Sequence, residues 1–329
     1  MHIKSKLKIV CIILIILPLI MLAIPLPDSS QLIATFSIVA YDSATEELGI
    51  AVASRFFSVG SVVPWAKAGI GAVATQSFAN TSFGWRGLEL LEQGLSAKEA
   101  LQYLLDNDDN LEQRQIGIVS ANGEAVNHTG KQCINWAGGT TGFGYAIQGN
   151  ILAGSKVISD MENEFLNTNG TLAKRLFKAL VAGDRAGGDS RGKQSAALLL
   201  VKEGAGYGGY TDRAIDIRVD DHATPIKELE RLLHIGEMNY AWNEGWTAFT
   251  KGLFEDALEP MERALELGPQ IPELWYDHAV INLAAGNHEI ALKALEKCII
   301  LNPKLKAQAK ADSDLDLLHG NVKYEELIK

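Results

Sequence analysis

Thr35-Phe36-Ser37-Ile38-Val39-Ala40-Tyr41, followed by Leu48-Gly49-Ile50-Ala51-Val52-Ala53-Ser54-Arg55, is the stretch on which the fold turns. Both segments are rich in β-branched and small residues, and the polar run Asp42-Ser43-Ala44-Thr45-Glu46-Glu47 separates them. The pair reads as a β-hairpin. Thr35 stands at its head. A Thr hydroxyl is a weak nucleophile until a base takes its proton, and a free α-amino group on the same residue, with a pKa of about 8, can be that base. Thirty-four residues precede Thr35, so this chemistry requires that they be removed.

Those residues have the layout of an export leader. Lys4, Lys6 and Lys8 precede an uncharged apolar run from Ile9 to Leu26, and a short polar segment follows. The run is longer than the roughly 7–15 apolar residues of a signal peptide and shorter than the roughly 20 of a spanning helix. A cleaved signal is preferred over an uncleaved anchor, and Ala34 stands directly before Thr35. Positive charge on the N-terminal side places the remainder outside. The chain is therefore expected to be secreted or anchored on the outer face of the cytoplasmic membrane, meeting the membrane only through its leader.

The net charge of −10, with no basic block, argues against a nucleic-acid partner. Cys11 falls in the leader, and Cys133 and Cys298 fall in different predicted domains. No metal-ligand spacing is present among the cysteines or the seven scattered histidines. Neither a metal nor a cofactor is expected.

Beyond the hairpin, strand-like and helix-like segments alternate to about Asp221. Strands are predicted at 69–76, 115–120, 124–129, 145–152, 195–201 and 214–219, with Ala121-Asn122-Gly123 as a hairpin turn. Helices are predicted at 86–92, 97–105, 155–166 and 172–181, the second capped by Ser96 with Glu99 completing a capping box. Thr224 is expected to cap a further helix that starts at Pro225. This order suits a layered α+β sandwich. The last third changes character. Gly245, Gly252, Ala257, Ala264 and Pro269 recur 34 residues later as Ala279, Gly286, Ala291, Cys298 and Pro303, which is the tetratricopeptide (TPR) period. Three segments result: a leader at 1–34, an α+β domain at 35–236 and helical repeats at 237–329.

A Thr heading the first strand, with Ser-Arg closing the second, resembles the start of N-terminal-nucleophile (Ntn) hydrolases such as proteasome β-subunits. Further motifs narrow the resemblance: Val62-Val63-Pro64-Trp65-Ala66, Gly71-Ala72-Val73-Ala74-Thr75-Gln76, Arg114-Gln115, the segment from Gly144 to Asn150, the segment from Gly187 to Ala196, and Val219-Asp220-Asp221-His222. Over roughly residues 35–235 the chain resembles the domain of unknown function 1028 family, grouped by fold with the Ntn hydrolases. The resemblance implies a four-layer αββα sandwich and no particular substrate. Gly138-Gly139 departs from the Gly-His expected there.

The candidate site follows from that frame. Thr35 is the expected nucleophile and internal base. Lys67 is the cation expected to hold the amine's surroundings positive, by analogy with the site lysine of proteasome subunits. Asn150, in Gln148-Gly149-Asn150, suits an oxyanion hole, because an amide donates without ionising. Arg55 is expected to grip a substrate carboxylate. Asp189, Arg191 and Gln194 form a polar cluster that either reads the charged end of a substrate or is a loop tied by its own Asp–Arg pair. Gly204-Ala205-Gly206-Tyr207-Gly208-Gly209 lacks the ending of a phosphate cradle and reads as a hairpin loop. The expected activity is exported Ntn-type amide or peptide bond hydrolysis on a small or peptidic substrate. The alternative is an inactive Ntn-fold binding protein whose TPR repeats offer a surface to a protein partner.

Overall fold

The structure, a computed structural model, describes residues 35–329; the leader lies outside the described residues. Strands β1 (Thr35–Asp42) and β2 (Glu47–Ser54) form the predicted hairpin, in register from Thr35 opposite Ser54 to Asp42 opposite Glu47. Strands β3 (Pro64–Lys67) and β4 (Gly71–Ser77) follow, then helices α1 (Ser82–Glu92) and α2 (Ala97–Asp106). Next come β5 (Arg114–Ser120), β6 (Ala125–Thr129), β7 (Gly138–Gly142) and β8 (Tyr145–Asn150). Helices α3 (Lys156–Asn167) and α4 (Leu172–Arg185) precede β9 (Ser195–Val201) and β10 (Arg213–Val219). The strands make two antiparallel sheets, one of order β10-β9-β2-β1-β8-β7 and one of order β3-β4-β5-β6.

Side-chain alternation along β1 explains how these layers stack. Phe36, Ile38 and Ala40 point to one face and pack with Met161, Phe165, Leu176 and Leu180 of α3 and α4. Val39 points the other way and meets Ile50 and Val52 together with Ala72, Ala74 and Val119 of the second sheet. The outer face of that second sheet carries Val73, Ile116 and Ile118 against Phe83, Leu91, Leu101 and Leu104 of α1 and α2. Ser96 caps α2 in the predicted box, its hydroxyl accepting from Glu99 N while a Glu99 carboxylate oxygen accepts from Ser96 N.

Helix α5 (Pro225–Thr250) begins at Pro225 as expected, but the Thr224 side chain makes no cap bond; its backbone N–H donates to His222 Nδ1 instead. The helix does not stop near 236. Leu229 and Leu233 belong to the first-sheet core, and Met238 and Ala241 to a separate core with Ala257 and Met261. The division drawn at 236/237 therefore falls inside one continuous 26-residue helix. The rest is helical: α6 (Phe254–Leu267), α7 (Pro272–Ala284), α8 (His288–Leu301), α9 (Leu305–Ala311) and α10 (Val322–Leu327). Of the small residues that recur at 34-residue spacing, Gly252 and Gly286 lie in turns with φ of 75° and 83°, and others pack between helices. A Cβ on Gly245 would meet Ala257 O at 3.1 Å, and Ala279, Ala291 and Cys298 are fully buried. Tyr324 closes the end of the chain, buried, with its hydroxyl donating to Ala309 O at 2.7 Å. Among the described residues no helix is long and apolar enough to cross a membrane.

Candidate functional site

Thr35 begins β1 in the middle of the six-stranded sheet, with Ser54, the last residue of β2, on one side and Asn150, the last of β8, on the other. Period-two alternation puts Thr35 and Ser37 on the face turned to the second sheet, and their partners Asn150 and Gln148 with them. The second sheet answers with Gln76 and Gln115, which are directly paired across β4 and β5. At this end the otherwise apolar space between the sheets is polar. All six side chains are buried.

Burying that many amides and hydroxyls is tolerable only when they bond to one another. Ser37 Oγ donates to Gln76 Oε1 at 2.7 Å, and Gln148 Nε2 donates to Ser37 Oγ at 2.6 Å. Gln76 Nε2 donates to Gln115 Oε1 at 2.8 Å and reaches the Thr35 carbonyl at 3.3 Å. Asn150 Nδ2 donates to the same Gln115 oxygen at 2.9 Å, and Gln115 Nε2 donates to Gly149 O at 2.8 Å. Thr35 Oγ1 lies 3.1 Å from Ser54 Oγ. Two acceptors, Gln148 Oε1 and Asn150 Oδ1, are buried with no hydrogen-bond partner among the described residues. Gln148 lies tight against Gly117 of the second sheet, where a Cβ would stand 2.2 Å from Gln148 Oε1.

Backbone strain borders the cluster. Ser77, just after Gln76, and Ile151, just after Asn150, have φ of 69° and 53°. Left-handed backbone is unfavourable for a β-branched residue such as Ile151, and such conformations concentrate at functional sites. Cys133 lies beside Ser77 at this rim, its thiol pushed up by burial, with a hydrogen bond from Ser77 acting in the opposite direction.

The remaining predicted residues divide. Asp189 is held by Arg191, whose Nε and Nη2 reach its two oxygens at 3.2 and 2.9 Å, and it also accepts from Arg55 N at 2.8 Å. The loop is thus tied by its own Asp–Arg pair. Arg55 is exposed, spends one guanidinium N–H on Arg191 O and makes no ion pair among the described residues. Gln194 joins the same rim by donating its N–H to Ser54 O at 3.1 Å. Lys67 requires correction. It ends β3 opposite Gly71, whereas the Thr35 cluster meets β4 at Gln76, so five residues of strand, about 17 Å, separate the two. Its ammonium is half exposed and paired with Glu92 on α1. Counting residues from the nucleophile located a lysine without revealing which end of its strand it occupied.

Sequence reasoning missed Ser37, Ser54, Gln76 and Gln115 as members of the cluster. The signal was present, because Gln76 and Gln115 are amides at inward positions of strands that are otherwise apolar.

A family model described as a family of unknown function (DUF1028) matches residues 35–229. The chain belongs to the DUF1028 family. Among solved structures, the crystal structure of protein SPO2555 from Silicibacter pomeroyi, which carries the same family model, is similar to it. The TM-score is 0.56 at 29% identity, over 60% of this chain and 87% of that one. No curated protein matches. The DUF1028 match ends at residue 229, within the first two turns of α5, so the helical tail lies outside it.

Proposed function

We propose that this DUF1028 chain is an amidohydrolase of the Ntn type, exported and matured so that Thr35 becomes its N-terminus. The helix–sheet–sheet–helix layering, read as the αββα sandwich of that class, is the scaffold. The observation that carries the reading is Thr35 itself: it heads the central strand, its hydroxyl meets Ser54 Oγ at 3.1 Å, and a ring of amide side chains surrounds it.

In this mechanism the free α-amine of Thr35 takes the proton from Oγ1, and Oγ1 attacks the substrate's amide carbon. One of the two Asn150 Nδ2 hydrogens bonds Gln115, which leaves the other to meet the developing oxyanion. The C–N bond breaks, the leaving amine carries off the proton, and water then cleaves the Thr35 ester to a carboxylic acid. Arg55 at the rim supplies unused guanidinium donors for a substrate carboxylate. Lys67 takes no part, and the Asp189–Arg191 pair shapes the rim. The substrate is a small or peptidic amide. Mass spectrometry of the exported protein tests the proposal: a mature chain starting at Thr35 supports it, and a dominant start at Ile24, Ser30 or Gln31, or an uncleaved chain in washed membranes, rules it out.

The complete burial of Thr35 favours a second reading, an inactive scaffold of the same fold whose TPR-like helices hold a protein partner. An uncleaved chain that binds a partner through residues beyond 237 is its expected signature.

A further inference from the structure

Far from Thr35, where the glycine-rich loop between β9 and β10 meets the tail, lies a cavity of about 340 Å3 lined by Tyr207, Asn239, Trp242, Asn243, Trp246 and Asp277. Its construction is specific. Trp242 and Trp246 are four residues apart on α5 and so share a face. Asn243 fastens the loop to the helix: its Oδ1 accepts from Gly208 N at 2.8 Å, and its Nδ2 donates to Gly206 O at 3.0 Å and Ala205 O at 3.3 Å. The loop is fixed, yet the Tyr207 ring that it carries is 89% exposed. Asp277, on α7, accepts from Trp242 Nε1 at 2.7 Å through Oδ2. Its Oδ1 has no hydrogen bond, and no Lys, Arg or His pairs with it among the described residues. The charges that act on it, Asp312 and Glu273, are also acidic.

We propose that Tyr207, Trp242, Trp246 and Asp277 form a box for an organic cation, a quaternary or N-methylated ammonium group. Aromatic faces attract such cations through their quadrupoles, by about 0.5–1 kcal/mol for each ring at an exposed site. The carboxylate with no positive partner supplies the countercharge. A neutral sugar would stack on the same rings but would leave Asp277 without a countercharge. The box owes nothing to the chemistry at Thr35.

Choline titrated into the full chain, followed by tryptophan fluorescence and calorimetry, is the test, with its neutral isostere 3,3-dimethylbutan-1-ol as the control. Choline binds saturably, and the isostere binds at least about tenfold more weakly, the factor that corresponds to one cation–π contact together with the countercharge. Tyr207→Ala removes an exposed ring and leaves the melting temperature unchanged while weakening choline. Trp246→Ala weakens it further, and Asp277→Asn narrows the gap between choline and the isostere. Phosphatidylcholine vesicles separate two sources of the same group: pelleting with vesicles that free choline reverses assigns a lipid headgroup, and no pelleting assigns a soluble ammonium compound. Absence of saturable choline binding, equal binding of the isostere, or choline binding indifferent to both Tyr207→Ala and Trp246→Ala overturns the proposal.

Discussion

Thr35 Oγ1 and Ser54 Oγ face each other at 3.1 Å across the β1–β2 ladder, and both residues are sealed from solvent. Each hydroxyl is the other's near neighbour in an otherwise amide-lined space. The pairing of a strand-heading Thr with the Ser that closes the next strand is a register effect, which the Ser-Arg pattern at the strand end does not disclose.

The first prediction follows from that pair. On the proposed mechanism Thr35→Ala is expected to abolish amide hydrolysis and Thr35→Ser to keep part of it, because an oxygen remains beside the same amine. Ser54→Ala leaves the Thr35 hydroxyl without its partner, which destabilises the fold by roughly 1–3 kcal/mol. Urea midpoints and turnover of a common amide substrate measure both. Full activity in Thr35→Ala would end the Ntn mechanism for this chain.

Gln115 is the second. Its Oε1 accepts from both Gln76 and Asn150, and its Nε2 bonds Gly149 O and Thr129 Oγ1. Gln115→Leu strands several buried donors and acceptors at once, and the loss is expected at about 3 kcal/mol or more. Ile118→Val on the same strand costs only about 1 kcal/mol. Equal losses for the two, read from denaturant melts, would mean that the amide cluster is not a connected network.

Much of this arrangement was legible in the sequence because the hairpin, the capping box and the Asn-Gly turn are local signals. The two strands that escaped prediction, β3 and β7, are both edge strands. One opens with Pro64 and the other reads Gly138-Gly139-Thr140-Thr141-Gly142, compositions with weak strand preference that edges tolerate. That Thr35 and Asn150 lie opposite each other, and Ser37 opposite Gln148, follows from the β1–β8 pairing, a long-range contact that no local signal announces. Lys67 lies away from these residues because it ends β3, an edge strand whose register against β4 no local signal fixes. Gly236 looked like a break, yet a Cβ there would meet Ile215 no closer than 3.4 Å, and packing on β10 carries the helix through it.

The third prediction is a pH dependence. Burial pushes the Asp277 carboxyl up to about 6; the Trp242 hydrogen bond opposes this, and Asp312 and Glu273 add to it. Its unfolded value is about 3.9. The folded state thus binds this proton more tightly, and the associated stability is complete below about pH 4 and lost as pH rises through about 6. Relative to Asp277→Asn, which lacks the titration, the wild type should lose about 2 kcal/mol between pH 4.5 and 7.5. A difference that stays flat over that window contradicts the assignment.

The fourth concerns truncation. Leu229 and Leu233 anchor the first half of α5 in the sandwich, while Tyr240 reaches Glu47 at 3.3 Å and Asn243 fastens the β9–β10 loop. A chain of residues 35–250 is expected to melt cooperatively, and one of residues 35–236 at a lower temperature. Residues 237–329 alone are expected to show no cooperative transition, since the loop and strands that α5 leans on are gone. A cooperative melt of that fragment, followed by circular dichroism, would show instead that the tail stands by itself.

Because α5 passes from one core to the other without a joint, the sandwich and the tail share a rotational phase. The helix is about 39 Å long, and each residue turns the chain by about 100°. Inserting or deleting a single residue near Gly236 would leave both cores intact in composition and yet swing Trp242 and Trp246 around the axis, away from Tyr207. The length of this helix, counted to the residue, is therefore as much a part of the aromatic box as the rings themselves.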